Sequence, residues 1–280
     1  MSMTLRPMQA GDIGQAFALT QKLKWPHRRE DWQQALALGE GIVALEQNQV
    51  IGSAIAWRWG DDYATIGLVI VDDRQQGRGI GKQLMLTLLE KLSGYNVRLH
   101  ATEMGRGLYE KLGFVANGRI KQLQTRALAA PPPLALPAGL QLRRAAPQDA
   151  QRLTLLDRQA HGMWRPELIA ALMQEETQLL QDAQGEIHGF TSLRRFGHGW
   201  AIGPIIARDA AAAQALTAAS MQRLRGEFVR LDVDAALPLT AWLQTLGLEE
   251  VDAPTIMVRG APWRPEAGMQ AFGLMTQAMA

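Results

Sequence analysis

A glycine-rich turn is the part of this sequence whose residue types most clearly suggest chemistry. It reads Gln76-Gly77-Arg78-Gly79-Ile80-Gly81 and lies between an apolar, β-branched stretch and an amphipathic one. Glycines allow backbone N–H groups to approach an anion, and the N-terminus of a helix adds partial positive charge. Arg74, Arg78 and Lys82 add full charges. The turn therefore predicts a binding site for a phosphate-bearing ligand.

Two common phosphate-binding patterns do not fit this turn. A Walker loop requires Ser or Thr after its lysine, but Gln83 follows Lys82, and Gln76 occupies the position of the first glycine. The Rossmann fingerprint requires a third glycine where Lys82 stands. The sequence therefore does not predict an NTPase or a dinucleotide-binding protein, and a plain tight turn without a ligand remains the alternative.

The elements around the turn predict a mixed α/β fold. The apolar residues of Ile80 to Leu92 recur every three to four positions, which is typical of a helix packed on a sheet. Alternating or apolar runs predict the neighbouring strands. The predicted strands are 5–8, 41–46, 49–59, 64–71, 97–101 and 114 onward, and the predicted helices begin at Asp12, Ile80 and Arg106.

The chain contains two similar halves. Leu5-Arg6 with Asp12 matches Leu142-Arg143 with Asp149 at an offset of 137. Five further matches follow in order at 132 to 137, and the last pairs Leu112-Gly113 with Leu246-Gly247. Four prolines at 131–133 and 137 predict an extended linker between the halves. We therefore predict domains at 1–126 and 140–280, joined by a Pro-rich linker at 127–139.

At the glycine turn the sequence resembles the GNAT superfamily of acyl-CoA-dependent N-acyltransferases. The family signature, Gln/Arg-x-x-Gly-x-Gly/Ala, corresponds to Gln76 through Gly81. A second family element follows about thirty residues later as Leu108-Tyr109-Glu110-Lys111-Leu112-Gly113-Phe114. The resemblance covers residues 4 to about 120 directly, and the rest through the repeat. It implies two tandem GNAT-like folds.

The resemblance implies roles for particular residues. The backbone of Val69, Ile70 and Val71 would pair with the pantetheine arm of acetyl-CoA. The backbone from Gly77 to Gly81, with Lys82, would hold its pyrophosphate. Tyr109 would act as a general acid near the thioester sulfur, since a phenol can donate a proton to a departing thiolate. The signature residues Gln76, Arg78 and Ile80 belong to the same cofactor-binding turn.

The base and the acceptor-binding residues are less well defined. No carboxylate lies between Thr65 and Val71, where some members of the family carry one. Glu103 is the best candidate for the base, and a chain of water molecules is the alternative. Trp25, His27 and Arg28 lie where the resemblance places the acceptor side.

The second half repeats the predicted fold pattern of the first but lacks the residues predicted for cofactor binding and catalysis. After its equivalent strand, 201–207, come Arg208, Asp209 and four alanines instead of glycines, and Leu243 stands where the first half has Tyr109. We therefore expect one acyl-CoA site per chain. The second half would cover the acceptor, bind another ligand or form a homodimer.

Composition excludes several other classes. Lys and Arg total 29 against 27 Asp and Glu, with no basic run, which argues against nucleic acid and membrane as partners. There is no cysteine, so disulfides and cysteine nucleophiles are excluded and a cytoplasmic location is expected. The histidines show no metal-ligand spacing, so no metal is expected.

The sequence therefore predicts an acetyl-CoA-dependent N-acetyltransferase that modifies a primary amine of a small molecule or peptide. The alternative is a non-catalytic module with a tandem GNAT fold that senses acyl-CoA or a metabolite. The retained Tyr109 and the intact turn favour the enzyme.

Overall fold

The computed structural model describes residues 3–266 and 268–279, and this part forms 14 strands and eight α-helices. In the first unit the strands are β1 (Thr4–Pro7), β2 (Glu40–Glu46), β3 (Gln49–Trp59), β4 (Tyr63–Val71), β5 (Asn96–Ala101) and β6 (Val115–Thr125). Its helices are α1 (Ile13–Lys22), α2 (Arg29–Leu38), α3 (Ile80–Lys91) and α4 (Glu103–Lys111).

The second unit repeats this order. Its strands are β7 (Leu140–Arg144), β8 (Glu176–Asp182), β9 (Ile187–Phe196), β10 (Gly199–Ala207), β11 (Val229–Asp234), β12 (Glu249–Asp252), β13 (Thr255–Arg259) and β14 (Gln270–Gly273). Its helices are α5 (Ala150–His161), α6 (Pro166–Leu172), α7 (Ala210–Met221) and α8 (Thr240–Thr245). The predicted mixed α/β architecture is confirmed, with one added helix, α2, that the sequence reasoning missed.

The repeat is visible in atomic detail at the start of each unit. Arg6 forms a two-bond ion pair with Asp12 at 2.7 and 2.8 Å, and Arg143 forms the same pair with Asp149 at 2.6 and 2.8 Å. Each carboxylate also accepts a backbone N–H from three residues earlier at 2.7 Å. Both units therefore fix the turn before their first helix in the same way.

The two units exchange strands. The first part of β6 pairs with β13, which lies between β5 and β6 although it comes from the second unit. The second part of β6 lies between β11 and β12 of the second unit. Strand β6 therefore begins in the part of the sheet built by the first unit and ends among strands of the second. Strands β12 and β13 run the other way, from the second unit into the first. All strands consequently join one continuous sheet.

The helices and cores also tie the units together. One apolar core includes Trp32 and Trp57 from the first unit with Leu153 and Met163 from the second. A separate core lies under α3, and another lies under α7. Because one core is shared, neither unit buries its apolar surface independently of the other.

The C-terminal segment, defined here as residues 270–279, crosses from the second unit to the first. Its first part is β14, which pairs with both β10 and β11. Its later residues reach β4 and β5, where the hydroxyl of Thr65 donates to the carbonyl of Met279 at 3.3 Å. Within the described part of the chain, no helix is both long and apolar enough to cross a membrane.

Candidate functional site

A cavity of about 500 Å³, called here the first cavity, opens between β4 and β5. The two strands pair in parallel over Tyr63 to Thr65 and then separate. Most residues predicted for cofactor, catalysis and acceptor line this space. They are Trp25, His27, Val69, Ile70, Val71, Gln76, Gly77, Gly79, Ile80, Gly81, Lys82 and Tyr109.

Strand β4 presents an unpaired backbone edge to the first cavity. Leu68 has a φ of 50°, in the left-handed region, at a bulge in the pairing with β3. Beyond it, the Asp72 N–H donates to the Ile51 carbonyl at 2.9 Å. The antiparallel alternation therefore directs the backbone groups of Val69 and Val71 away from β3. Strain of this kind in a non-glycine residue commonly marks a functional site.

The glycine turn lies at the start of α3. Gly77 and Gly79 have φ values of 77° and 75°, which residues other than glycine rarely adopt. A Cβ atom at either position would meet no heavy atom within 4 Å, so the space beside them is open. The first helical bond runs from the Gln83 N–H to the Gly79 carbonyl at 3.1 Å, leaving the earlier amides without helical partners.

Tyr109 projects from α4 and is 8% exposed. Its ring packs edge-on against Phe114 with centroids 6.0 Å apart, and Gly105 lies beside the ring because it has no side chain. The hydroxyl makes no hydrogen bond to any residue in the described ranges. Burial raises the pKa of Tyr109 to about 12, so the phenol keeps its proton at neutral pH.

The other end of the first cavity is built by both units. The loop between α1 and α2 carries Trp25 and His27, and the His27 ring meets Phe196 of β9 edge-on at 5.2 Å. Burial, with the nearby charge of Arg230, lowers the pKa of His27 to about 4. Arg230 lines the cavity while paired with Asp232 at 3.0 Å. A neutral imidazole and aromatic rings therefore form this end.

The C-terminal segment forms part of the cavity wall through Thr276, Gln277 and Ala278. His100 of β5 also lines the cavity, and its Nδ1 donates to the Gln277 carbonyl at 2.7 Å. Its Nε2 accepts a hydrogen bond from Arg98 at 3.2 Å. Burial, with the positive charge of Arg98, lowers the pKa of His100 to about 3. Because both ring nitrogens are engaged, His100 is a structural group rather than a free base.

Three predicted residues lie outside the lining of this cavity. Glu103 is exposed in the first turn of α4. Arg28 pairs with Asp31 at 2.8 Å, and Arg78 pairs with Glu46 at 2.8 Å. Their proposed roles as base, acceptor ligand and cofactor ligand stay predictions.

Several lining residues were missed by sequence reasoning. They are His100, Gln122, Phe196, Arg230, Asp252, Thr276, Gln277 and Ala278. Apart from His100 and Gln122, they come from the second unit, which shares one sheet and one apolar core with the first. No local pattern in the sequence indicates such an approach.

The second unit lacks the corresponding opening. Strands β10 and β11 pair over Trp200 and Ala201, and β14 then fills the space between them. The residue before α7 is Asp209, whose carboxylate accepts the Ala212 N–H at 2.8 Å. The carboxylate of Asp209 therefore lies at the N-terminus of α7, at the position that Gly79 occupies before α3. In the described ranges no cluster of three or more acidic or histidine residues could hold a metal.

Comparison with known families gives the class of this protein. Two models described as the acetyltransferase (GNAT) domain match the chain, one at residues 38–116 and the other at residues 153–273. The second match covers the unit whose glycine turn is lost, so that unit is a GNAT domain by descent. The chain belongs to the GNAT acyltransferases and carries two of their domains in tandem.

Individual proteins agree with this class. The uncharacterized N-acetyltransferase YitH of Bacillus subtilis is 29% identical over 157 residues, which is 55% of this chain and 55% of YitH. A candidate acetyltransferase from Pyrococcus horikoshii has the same fold, with a TM-score of 0.80 at 22% identity over 99% and 96% of the two chains. A tandem GNAT protein from the clavulanic acid biosynthesis pathway has a TM-score of 0.67 at 16% identity over 95% and 100%.

Proposed function

We propose that this protein is an acetyl-CoA-dependent N-acetyltransferase with one cofactor site, in the first cavity. The observation that carries the proposal is that three features line the same cavity. These are the unpaired edge of β4, the glycine turn before α3 and the unbonded hydroxyl of Tyr109. The second unit has none of the three.

The residues of the first cavity fit acetyl-CoA. The open space beside Gly77 and Gly79 would admit a pyrophosphate, and the amides at the start of α3 would donate to it. Lys82 lines the same region and supplies a positive charge. The exposed edge groups of Val69 and Val71 would bond the amides of the pantetheine arm. Bound acetyl-CoA would supply an acetyl group activated as a thioester.

Tyr109 would assist the departure of the sulfur. The amine nitrogen attacks the thioester carbonyl carbon, the C–S bond breaks, and the departing thiolate accepts a hydrogen bond from the phenol. Because the pKa of Tyr109 is about 12, the proton is present throughout the neutral range. The phenol is a weaker acid than a thiol, so its main effect is a hydrogen bond that stabilises the developing charge on sulfur.

The proton of the acceptor amine must leave in another direction. His100 cannot take it because both its nitrogens are engaged, and Glu103 is exposed outside the lining. Asp252 is the carboxylate among the described lining residues, and it is exposed near the end of β12. We infer that the proton passes through water, with Asp252 as the lining carboxylate that can receive it.

The acceptor would bind at the end formed by Trp25, His27 and Phe196. Aromatic walls favour an amine carried by an organic body, and the pantetheine arm would occupy much of the 500 Å³ cavity. A small molecule or the end of a peptide therefore suits the remaining space better than a folded protein surface.

Turnover with a panel of amines tests the proposed reaction. Purified protein is incubated with acetyl-CoA and amino acids, polyamines, aminoglycosides or peptide amines. Free thiol release and the acetylated product, identified by mass spectrometry, are measured. We expect amine-dependent thiol release with matching product. Tight acetyl-CoA binding without release, with any amine or water, would instead indicate a sensing module.

A further inference from the structure

A second cavity, of about 370 Å³, lies on the side of β5 where Arg98 projects. Its walls include the apolar side chains of Leu237, Trp263, Met269 and Leu274. Arg98 and His161 also line it and are 5% and 1% exposed. The cavity therefore combines apolar wall residues with two buried nitrogen-bearing side chains.

Arg98 lacks the partner that a buried guanidinium needs. Its Nη2 donates to His100, and its guanidinium carbon lies 3.8 Å from the centre of the Trp263 ring. Its Nε is buried and makes no hydrogen bond, and no carboxylate among the described residues forms an ion pair with it. Buried charges are normally paired, so this arrangement is unusual.

Arg98 nevertheless keeps its charge at neutral pH. Burial, with the nearby charge of Arg165, lowers the pKa of Arg98 to about 9, while Asp234 opposes the shift. That pKa still lies above pH 7. Arg165 is already neutralised by Asp157, to which it donates at 2.6 and 2.7 Å. The charge of Arg98 is therefore uncompensated by its buried neighbours.

His161 offers a second unpartnered atom in the same place. Its Nε2 is buried without a hydrogen bond, 3.9 Å from a carboxylate oxygen of Asp157. Burial, with the charges of Arg165 and Arg98, holds the pKa of His161 well below its usual value. The imidazole is therefore neutral, and it can accept or donate one hydrogen bond according to its tautomer.

The negative groups of this cavity limit which anion would fit. Asp234 lines it, and its Oδ1 accepts the Ala236 N–H at 2.8 Å. Glu266 lines it and is exposed. Two carboxylates beside one guanidinium disfavour a dianion such as phosphate. One carboxylate group on an apolar body matches both the unpaired guanidinium and the apolar walls.

We propose that the second cavity binds a small organic carboxylate. Its carboxylate would accept hydrogen bonds from Arg98 at the buried end, and its apolar body would pack against Leu237, Trp263 and Met269. This proposal does not depend on the acetyltransferase reaction.

Calorimetry on the full chain with phenylacetate tests the proposal. Phenethylamine has the same ring with the opposite charge, and inorganic phosphate provides an anion without an apolar body. Arg98→Met removes the charge and keeps much of the side-chain length. Ala236→Trp fills the more exposed end of the cavity, and Arg126→Met removes an exposed arginine that lines neither cavity.

We expect phenylacetate to bind at one site, and both cavity variants to weaken it at least tenfold. Arg126→Met should leave its affinity unchanged, and phenethylamine and phosphate should not compete. Circular dichroism melting checks that each variant is folded. If Arg98→Met does not fold, the affinity of Ala236→Trp for phenylacetate tests the proposal. Absence of phenylacetate binding, or binding that survives in a folded cavity variant, overturns the proposal.

Discussion

The carbonyl oxygen of Gln277 accepts a hydrogen bond from Nδ1 of His100 over 2.7 Å. This bond joins the C-terminal segment, which begins as a strand of the second unit, to the fifth strand of the first. The wall of the proposed acetyl-CoA cavity is therefore completed by the unit that lacks the glycine turn. The second GNAT domain accordingly contributes residues such as Phe196 and Arg230 to the lining of the proposed active site.

The contact between Gly67 and Ala278 predicts that the C-terminal segment contributes to stability. A Cβ on Gly67 would lie 2.4 Å from the Ala278 carbonyl oxygen, so backbone would have to shift. We expect Gly67→Ala to lower the free energy of unfolding by about 1–3 kcal/mol. Urea denaturation measures this value.

Gly107→Ala is the matched control for that substitution. Gly107 lies within α4, and a Cβ there would meet no heavy atom within 4 Å. We expect this variant to be more stable than wild type by roughly 0.5–1 kcal/mol, because alanine is the better helix former. An unfolding midpoint for Gly67→Ala equal to wild type would show that the segment does not pack at β4.

The buried histidines predict destabilisation in mild acid. The pKa of His27 is about 4 and that of His100 is about 3, both below the ordinary 6.5. Between pH 6.5 and 4 the unfolded chain therefore binds more protons than the folded protein. The free energy of unfolding should therefore decrease as the pH is lowered, by up to about 1.4 kcal/mol per pH unit for each histidine.

Denaturation of His100→Gln at several pH values checks this prediction. The variant should show a shallower loss of unfolding free energy between pH 6 and 4 than wild type. His198→Gln, which removes an exposed histidine, is the control. Identical slopes for His100→Gln and wild type would contradict the assignment of His100 as a buried neutral group.

Tyr109→Phe should lower the chemical rate about 10- to 1000-fold, equivalent to about 1.4–4 kcal/mol of transition-state stabilisation. Acetyl-CoA affinity should change little, because the hydroxyl is needed when the thiolate leaves. The high pKa of Tyr109 also predicts no loss of wild-type activity from its ionisation between pH 7 and 9. Single-turnover thiol release measures the step directly, and an unchanged rate would remove Tyr109 from the mechanism.

Two carboxylates can be compared as the proton acceptor. Asp252 lines the first cavity and Glu103 does not. We expect Asp252→Asn to lower the acetylation rate and weaken its rise with pH, while Glu103→Gln keeps wild-type kinetics. The pH profiles of kcat/KM for both variants distinguish them. A loss confined to Glu103→Gln would restore the role that the sequence suggested for Glu103.

The sequence predicted the features that depend on local pattern. Strand β4, the turn at Gly77 to Gly81, α3 and the position of Tyr109 follow from apolar periodicity and a motif of adjacent residues. The repeat also indicated that 112–113 and 246–247 are equivalent. It did not indicate that the strands after them are completed in opposite units, because strand pairing across about 130 residues leaves no local signal.

Other parts of the site were unpredictable for the same reason. Arg230 reaches the cavity on β11, which pairs with the exchanged β6, and Gln277 reaches it where the C-terminal segment crosses to β5. Nothing in the sequence indicated that β14 fills the space between β10 and β11. The missing glycines predicted loss of a phosphate site, whereas the structure adds that the strand edge itself is occupied.

The proposed single acetyl-CoA site is tested most sharply by the calorimetric stoichiometry of acetyl-CoA binding, measured on wild type, Gly79→Glu and Gly226→Glu. Gly79 and Gly226 have similar φ values, 75° and 78°, and open space beside them, so both substitutions introduce similar backbone strain. Only Gly79 lines the first cavity, where a glutamate would fill the phosphate space and repel the anion. We predict one site per chain, abolished in folded Gly79→Glu and intact in Gly226→Glu. Two sites per chain, or unchanged affinity in folded Gly79→Glu, would contradict this prediction.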